Sequence, residues 1–340
     1  MLDKKNSQRK SQKVWALLTW VAIVALLISG CGQAKPKVYH VGILSGFDFP
    51  GASIADGFIA SMAELGYVEG ENIIYDLQET HVVDMQGYQD IAQKFVDDKV
   101  DLILSFPSEA SLVAKQVAEG SGVPVVFSFA AGPELYESIQ APGGNITGVR
   151  YPLIEIAKGH FEITMQLVPD AKKVLIPYYT DYPILPSQFE AIAPLAEAAG
   201  VTIVKAPVTS GDEMQAFFDN LLAEGEPDID AIMYLVGPSS TSPDIASVVA
   251  QFGAEYQIPI ATGTILGPDD TWTITDVNVG FYNSGELAAP LADKIFQGVS
   301  AGTIPVVSPE PYLHINYTAA QELGLTVPEG LLKQADEIIR

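Results

Sequence analysis

The chain has 340 residues, 48% of them hydrophobic, and sets 42 Asp/Glu against 18 Lys/Arg for a formal net charge of −24. That apolar content excludes a disordered chain, and the length suits two domains with a core each. The acid excess excludes nucleic acid and anionic lipid surfaces as partners, because both need a basic footprint.

The first 30 residues carry a different charge. They hold five Lys/Arg and one Asp, so the remainder has 13 basic and 41 acidic residues, a net −28. Lys4, Lys5, Arg9, Lys10 and Lys13 precede an apolar run from Val14 to Ile28. As a helix that run spans about 22 Å, short of a hydrocarbon core of roughly 30 Å, which predicts a signal peptide rather than a permanent span. Its end, Leu27-Ile28-Ser29-Gly30-Cys31, resembles a bacterial lipobox. The resemblance implies cleavage before Cys31, lipid on its sulfur, and residues 31–37 as a tether to the membrane. Cys31 is the only cysteine, so there is neither a disulfide framework nor a cysteine metal cluster.

From Val38 the pattern becomes regular. Val38–Leu44 reads as a buried strand, followed by the aromatic loop Ser45-Gly46-Phe47-Asp48-Phe49-Pro50-Gly51. A helix then places Ile54, Phe58, Met62 and Leu65 on one face and stops at Gly66. Asn72–Leu77 predicts a strand, Asp84–Asp98 a helix with Ile91, Phe95 and Val96 inward, and Asp101–Ser105 a strand. The loop Phe106-Pro107-Ser108, a helix over Glu109–Gly120 and a strand over Val123–Phe129 follow. Strands alternating with helices argue a parallel sheet covered on both faces.

The pattern then repeats. Val174–Ile176 is a strand, Tyr178–Pro186 an aromatic loop, Ser187–Ala199 a helix, Val201–Ala206 a strand and Asp212–Glu224 a helix. Asp230–Val236, the polar loop Gly237–Pro243, the helix Ile245–Tyr256 and the strand Ile258–Thr262 complete it. Asp48 matches Asp181, Gly66 matches Gly200, Pro107 matches Pro238 and Val123 matches Ile258, at offsets between 131 and 135 residues. A near-constant offset predicts two copies of one lobe whose loops face each other across a cleft. The tail predicts a strand over Val277–Phe281, a helix over Asn283–Gly298 and a strand over Tyr312–Ile315. Crossings between lobes are expected near Gly148–Tyr151, Trp272–Asp276 and Thr303–Val307, which together make a hinge.

The motifs Glu64-Leu65-Gly66-Tyr67-Val68-Glu69-Gly70, Ile91-Ala92-Gln93-Lys94-Phe95-Val96 and Pro142-Gly143-Gly144-Asn145-Ile146-Thr147-Gly148-Val149 carry a resemblance. So does the terminal run from Ala319-Ala320 through Leu323-Gly324-Leu325 to Pro328-Glu329. From about Val38 to Leu332 the chain resembles the substrate-binding lipoproteins of ABC importers, in the branch with tryptophan- and tyrosine-binding members. The resemblance implies an α/β fold of the type I periplasmic-binding class, with two Rossmann-like lobes, parallel sheets and a multi-strand hinge. It divides the mature chain into 38–150 plus 277–302 and 151–276 plus 303–340. It further implies a monomeric, extracytoplasmic protein that gives a small solute to a membrane permease and, through that, an ATPase. An extracytoplasmic sensing module for a signalling partner is the alternative.

The expected ligand contacts are Ser45, Phe47, Phe49, Phe106, Ser108, Glu109, Tyr179, Asp181, Tyr182, Ser239, Ser240 and Thr264. The rings suit a flat or apolar solute, and the hydroxyls fix its polarity. The second lobe departs from the amino-acid-binding pattern. Gly237-Pro238-Ser239-Ser240-Thr241 lacks an Asp and Ala261-Thr262-Gly263-Thr264 lacks an acid, leaving Glu109, Asp48 or Asp181 as the partners for a solute ammonium.

Catalysis, metal and cofactor find no support. Gly298-Val299-Ser300-Ala301-Gly302 matches a nucleophile elbow, with Glu310 and His314 downstream, but a helix rather than a strand precedes it. His40, His81, His160 and His314 have no ligand spacing, and there is no phosphate-binding Gly-Lys-Ser/Thr loop.

Overall fold

The computed structural model of the protein describes residues 37–46, 53–81, 83–132, 134–180, 182, 184–223, 225–262 and 273–340. Phe47, Asp48, Phe49, Asp181, Thr264, Cys31 and the N-terminal targeting segment lie outside them.

The most deeply buried strands pair at the centre of the first lobe. β1 (Tyr39–Ser45) lies between β2 (Ile73–Glu79) and β3 (Leu102–Phe106), followed by β4 (Val125–Ala130) and β5 (Ile146–Arg150) in a parallel sheet ordered β2-β1-β3-β4-β5. All five residues of β3 are buried, whereas β2, at the edge, alternates. That contrast is what a sheet covered on both faces requires of inner and outer strands. Helix α1 (Ile54–Glu64) covers one face with Ile54, Phe58 and Met62. Its first turn is closed by a reciprocal cap between Ser53 and Asp56. Leu65, expected inward, is 44% exposed, because Gly66 at φ 92° turns the chain away immediately after it. Helices α2 (Met85–Asp97) and α3 (Ser108–Ala118) cover the other face with Tyr88, Phe95 and Ala114.

After α4 (Leu153–Leu167) the second lobe repeats the arrangement. It contains β6 (Lys173–Tyr178), α5 (Leu185–Ala199), β7 (Thr202–Pro207), α6 (Gly211–Leu222) and β8 (Ala231–Met233). Next come a short α7 (Pro238–Thr241), α8 (Pro243–Tyr256), β9 (Ile260–Thr262) and β10 (Thr273–Asn278). Then α9 (Phe281–Phe296), β11 (Tyr312–Asn316), α10 (Tyr317–Glu322), α11 (Glu329–Leu332) and β12 (Glu337–Ile339) end the chain. The sheet order is β12-β11-β10-β9-β8-β6-β7, with only the β10/β11 pair antiparallel. The run β7-β6-β8-β9, starting from the edge, thus copies β2-β1-β3-β4 of the first lobe.

The returning segments differ from expectation in detail. The strand expected over Val277–Phe281 is β10 at Thr273–Asn278. Thr275 pairs with Ile315, and the Asn278 side chain accepts the Val279 N–H as the strand ends. Phe281 begins a helix instead. The polar segment Gly237–Pro243 contains α7, and β8 is shorter than the apolar run that predicted it. The chain leaves the first sheet at Tyr151-Pro152 and returns at Val279-Gly280. Val307 still bridges Val149 of the first lobe before β11 joins the second sheet.

Helix α9 is held to the first lobe through two glycines. A Cβ on Gly57 of α1 would lie 2.1 Å from the Tyr282 carbonyl oxygen, and one on Gly285 of α9 would lie 2.0 Å from that of Ile54. Only hydrogen fits at either position, so the helix backbones touch. Gly285→Ala is expected to destabilise the protein by about 2–3 kcal/mol in urea unfolding. Gly159→Ala, on α4 with nothing within 4 Å of the added carbon, is the control. Its helix position leaves it neutral or stabilised by up to about 1 kcal/mol.

Candidate functional site

The carboxyl ends of β1 and β3 and the segment after β2 meet at Gly46. Its N–H donates to the Phe106 carbonyl at 2.7 Å. Its own carbonyl accepts from the Tyr88 hydroxyl at 2.6 Å and the Thr80 hydroxyl at 2.8 Å. A Cβ there would lie 2.6 Å from Cδ of Pro107. Ser45 is buried beside it, and Phe106 is 1% exposed, its ring packed in the core with Val41 and Leu104. Ser108 opens α3, and its Oγ accepts the Ala131 N–H at 2.9 Å, which ties down the loop after β4. Glu109, next along, is half-buried in the first turn of that helix, where the helix dipole favours a carboxylate.

The second lobe presents the matching edge. Ser239 is buried and donates to the Pro177 carbonyl at 3.1 Å, and Ser240 donates to that of Gly237 at 2.8 Å. Both hydroxyls therefore brace their own lobe. Tyr179 donates to the Thr209 carbonyl at 2.7 Å. Tyr182 behaves differently: its hydroxyl crosses to the first lobe and donates to Oε1 of Glu109 at 3.4 Å. Burial and then the Glu109 charge hold the Tyr182 phenol well above its ordinary range. Burial also raises Tyr88, with the same carboxylate adding to the effect. A neutral phenol of one lobe thus meets a carboxylate of the other. Of the expected contacts, the structure brings Glu109 and Tyr182 together and sets Ser45, Ser108, Phe106 and Ser239 into the walls behind them.

The floor between the lobes is aromatic. Tyr151, Leu153, Ile156 and Val279 form one cluster with Phe129 of the first lobe and Ile184 and Val236 of the second. The Phe129 ring centroid is 4.6 Å from those of both Tyr151 and Phe281. Phe129 holds φ at 49°, a costly conformation for a bulky residue, where the β4–β5 register shifts. The Tyr151 hydroxyl donates to Asn278 at 2.9 Å.

Several positioning residues escape sequence reading. Gln188, fully buried, grips Val236 through both ends of its amide, donating at 2.8 Å and accepting at 3.0 Å. His160, also buried, donates from Nδ1 to the Tyr234 carbonyl at 3.1 Å. Together they fix the chain leading into Gly237–Ser240. On an apolar helix face, neither residue carries a local signal that separates it from core. The elbow-like Ser300 is exposed and leads from α9 into a 3-10 turn at Ala301–Thr303, the reverse of the strand-to-helix geometry that nucleophile needs. Among the described residues no cluster of three His, Cys, Asp or Glu converges on a metal position, and no helix is long and apolar enough to cross a membrane.

Comparison with known proteins gives a consistent picture. A family model described as ABC transporter substrate binding protein matches residues 41–339. The chain is 25% identical to a tyrosine-binding protein of Clostridioides difficile, over 96% of this chain and 93% of that protein. Among solved structures it is similar to an ABC domain from Streptococcus pneumonia in complex with L-Trp. There the TM-score is 0.73 and the identity 22%, over 89% of this chain and 100% of the other. It is also similar to the ligand-free, open structure of a Clostridium difficile substrate-binding protein with adhesive properties. That match has a TM-score of 0.70 and 22% identity over 89% and 99% of the two chains.

His160 makes the second lobe acid-sensitive. Burial pulls its imidazole down from the ordinary 6.5 to about 4, against the smaller opposing effect of its bond to Tyr234. An unfolded His takes up a proton below 6.5 and the folded one only near 4, so stability is full above pH 6.5 and falls as pH drops through that window. The loss reaches about 3 kcal/mol at most. Urea titrations between pH 7 and 4 are expected to show it, and His160→Asn to remove that part of the slope.

Proposed function

Because the chain belongs to the family of ABC transporter substrate-binding proteins, we propose that it captures an aromatic amino acid in its interlobe cleft and gives it to an importer permease. Such proteins are extracytoplasmic and bind solutes without transforming them. The carrying observation is the contact between Glu109 and Tyr182, one from each lobe, at 3.4 Å. A solute ammonium in a closed cleft needs a carboxylate, because an unpaired buried charge is very costly. Glu109 fills that role in place of the acids missing from the second lobe. Tyr182 supplies a neutral phenol and a ring face beside it, suited to an aromatic side chain. The Trp- and Tyr-binding relatives agree with this class of solute.

Closure follows from differential affinity. A solute touching Glu109 of one lobe and Tyr182 of the other gains more in the closed form than in the open one, and shifts the population accordingly. The permease then reads the closed form. The hinge that absorbs the rotation is the set of passages around Tyr151, Val279 and residues 308–311. The basic and apolar N-terminus with Cys31 supports export and lipid tethering of a monomeric receptor, with the tether holding it near its permease.

Thermal unfolding of the protein with L-Trp, L-Tyr, sugars and nucleosides tests this reading. A bound solute at a hundredfold excess over Kd adds about 2.7 kcal/mol of stability. L-Trp or L-Tyr is expected to raise the transition, and Glu109→Gln to weaken that binding at least tenfold, with Tyr182→Phe costing less. A protein stabilised by sugars and indifferent to aromatic amino acids would sink the proposal.

A further inference from the structure

A second cavity lies beside the cleft, on the outer edge of the second lobe. It is a surface groove of about 440 Å³ lined by Tyr178, Tyr182, Leu185, Phe189, Glu190 and Lys205. Its position follows from the sheet. β7 is the edge strand, and Lys205 on it pairs in register with Ile176 of β6, so the cavity forms where the first turns of α5 overhang an open edge. Tyr178 and Phe189 meet edge to face at 5.3 Å between centroids, giving an apolar wall with a defined ring geometry.

The two charged groups make the lining selective. The Lys205 ammonium sits over the Phe189 ring, 4.2 Å from its centroid. Among the described residues, neither Lys205 nor Glu190 forms a salt bridge, which leaves both charges open to a ligand. Lys205 and Glu190 are both exposed, so each can present its charge to a molecule in the groove. An aromatic wall flanked by one cation and one anion complements a molecule with a ring, a carboxylate and an ammonium.

We propose that this cavity is a second, weaker binding station for the zwitterion of an aromatic amino acid. The solute carboxylate meets Lys205, its ammonium meets Glu190, and its ring lies against Tyr178 and Phe189. Tyr182 is a wall of this cavity and also reaches Glu109 in the cleft, so the two stations share one side chain. The inference rests on the reading of the cleft as an aromatic amino-acid site and adds a place to it.

Equilibrium dialysis of labelled L-Trp against the protein at pH 7 tests it by counting. Two molecules per chain are expected at saturation. Lys205→Glu, an exposed substitution, should weaken the lower-affinity event at least tenfold and leave the tighter one within threefold. Glu109→Gln should do the reverse. One molecule per chain, removed by Glu109→Gln and indifferent to Lys205→Glu, would overturn the second station and leave the cleft reading standing. Two events both unmoved by Lys205→Glu would overturn its location. No bound L-Trp at all would overturn both readings.

Discussion

The direct backbone contact of α1 with α9, at Gly57 and Gly285, is the constraint on which the two-lobed arrangement rests. Helix α9 follows β10, a strand of the second sheet, yet packs against the helix that follows β1 in the first. Side chains at either glycine would push the helices apart by more than the backbone tolerates. With them in contact, the returning chain is anchored to the first lobe, and its start at Phe281 is delivered to Phe129 and so to the floor of the cleft. A hinge needs such anchors: rigid packing on each side leaves the rotation to the few residues between.

The cleft itself is defined by what its polar groups are already doing. The hydroxyls of Ser239, Ser240, Tyr179, Thr80 and Tyr88 all donate to backbone carbonyls of their own lobe. They therefore serve as rigid framework around the loops. Glu109 and Tyr182 stand apart because their mutual bond runs between lobes. A carboxylate in contact with a phenol kept neutral by burial has acceptor capacity left for a cationic group. The strained Phe129 backbone in the same region is held there by aromatic packing on two sides.

Much of the fold is legible in the sequence. The alternating apolar runs locate most strands, since an inner parallel strand buried on both faces must be continuously apolar and the helices between must show one apolar face. Misreadings occur where tertiary context overrides the local pattern. Leu65 continues the inward periodicity of α1 but falls after the helix has ended. Val277–Phe281 is apolar enough for a strand but straddles the end of β10 and the start of α9. Gly237–Pro243 is polar enough for a loop yet turns helical beneath α8. In the site, Glu109 and Tyr182 are readable as loop-end residues following strands, whereas His160 and Gln188 are polar residues on apolar helix faces whose partners, Tyr234 and Val236, lie 74 and 48 residues away.

The sequence by itself determined the class of fold and its internal duplication, through periodicity and landmarks repeated at a near-constant offset, and the family resemblance, through motifs such as Pro142–Val149. Only the tertiary structure decided that β10 joins the second sheet while α9 returns to the first, and that Glu109 finds Tyr182 across 73 positions of chain. It also decided that Phe106, an aromatic loop-end residue like Tyr182, belongs to the core. Those outcomes depend on how two rigid lobes are turned toward each other. That orientation is set by long-range packing at two glycines and an aromatic floor, and no local pattern of residues encodes it.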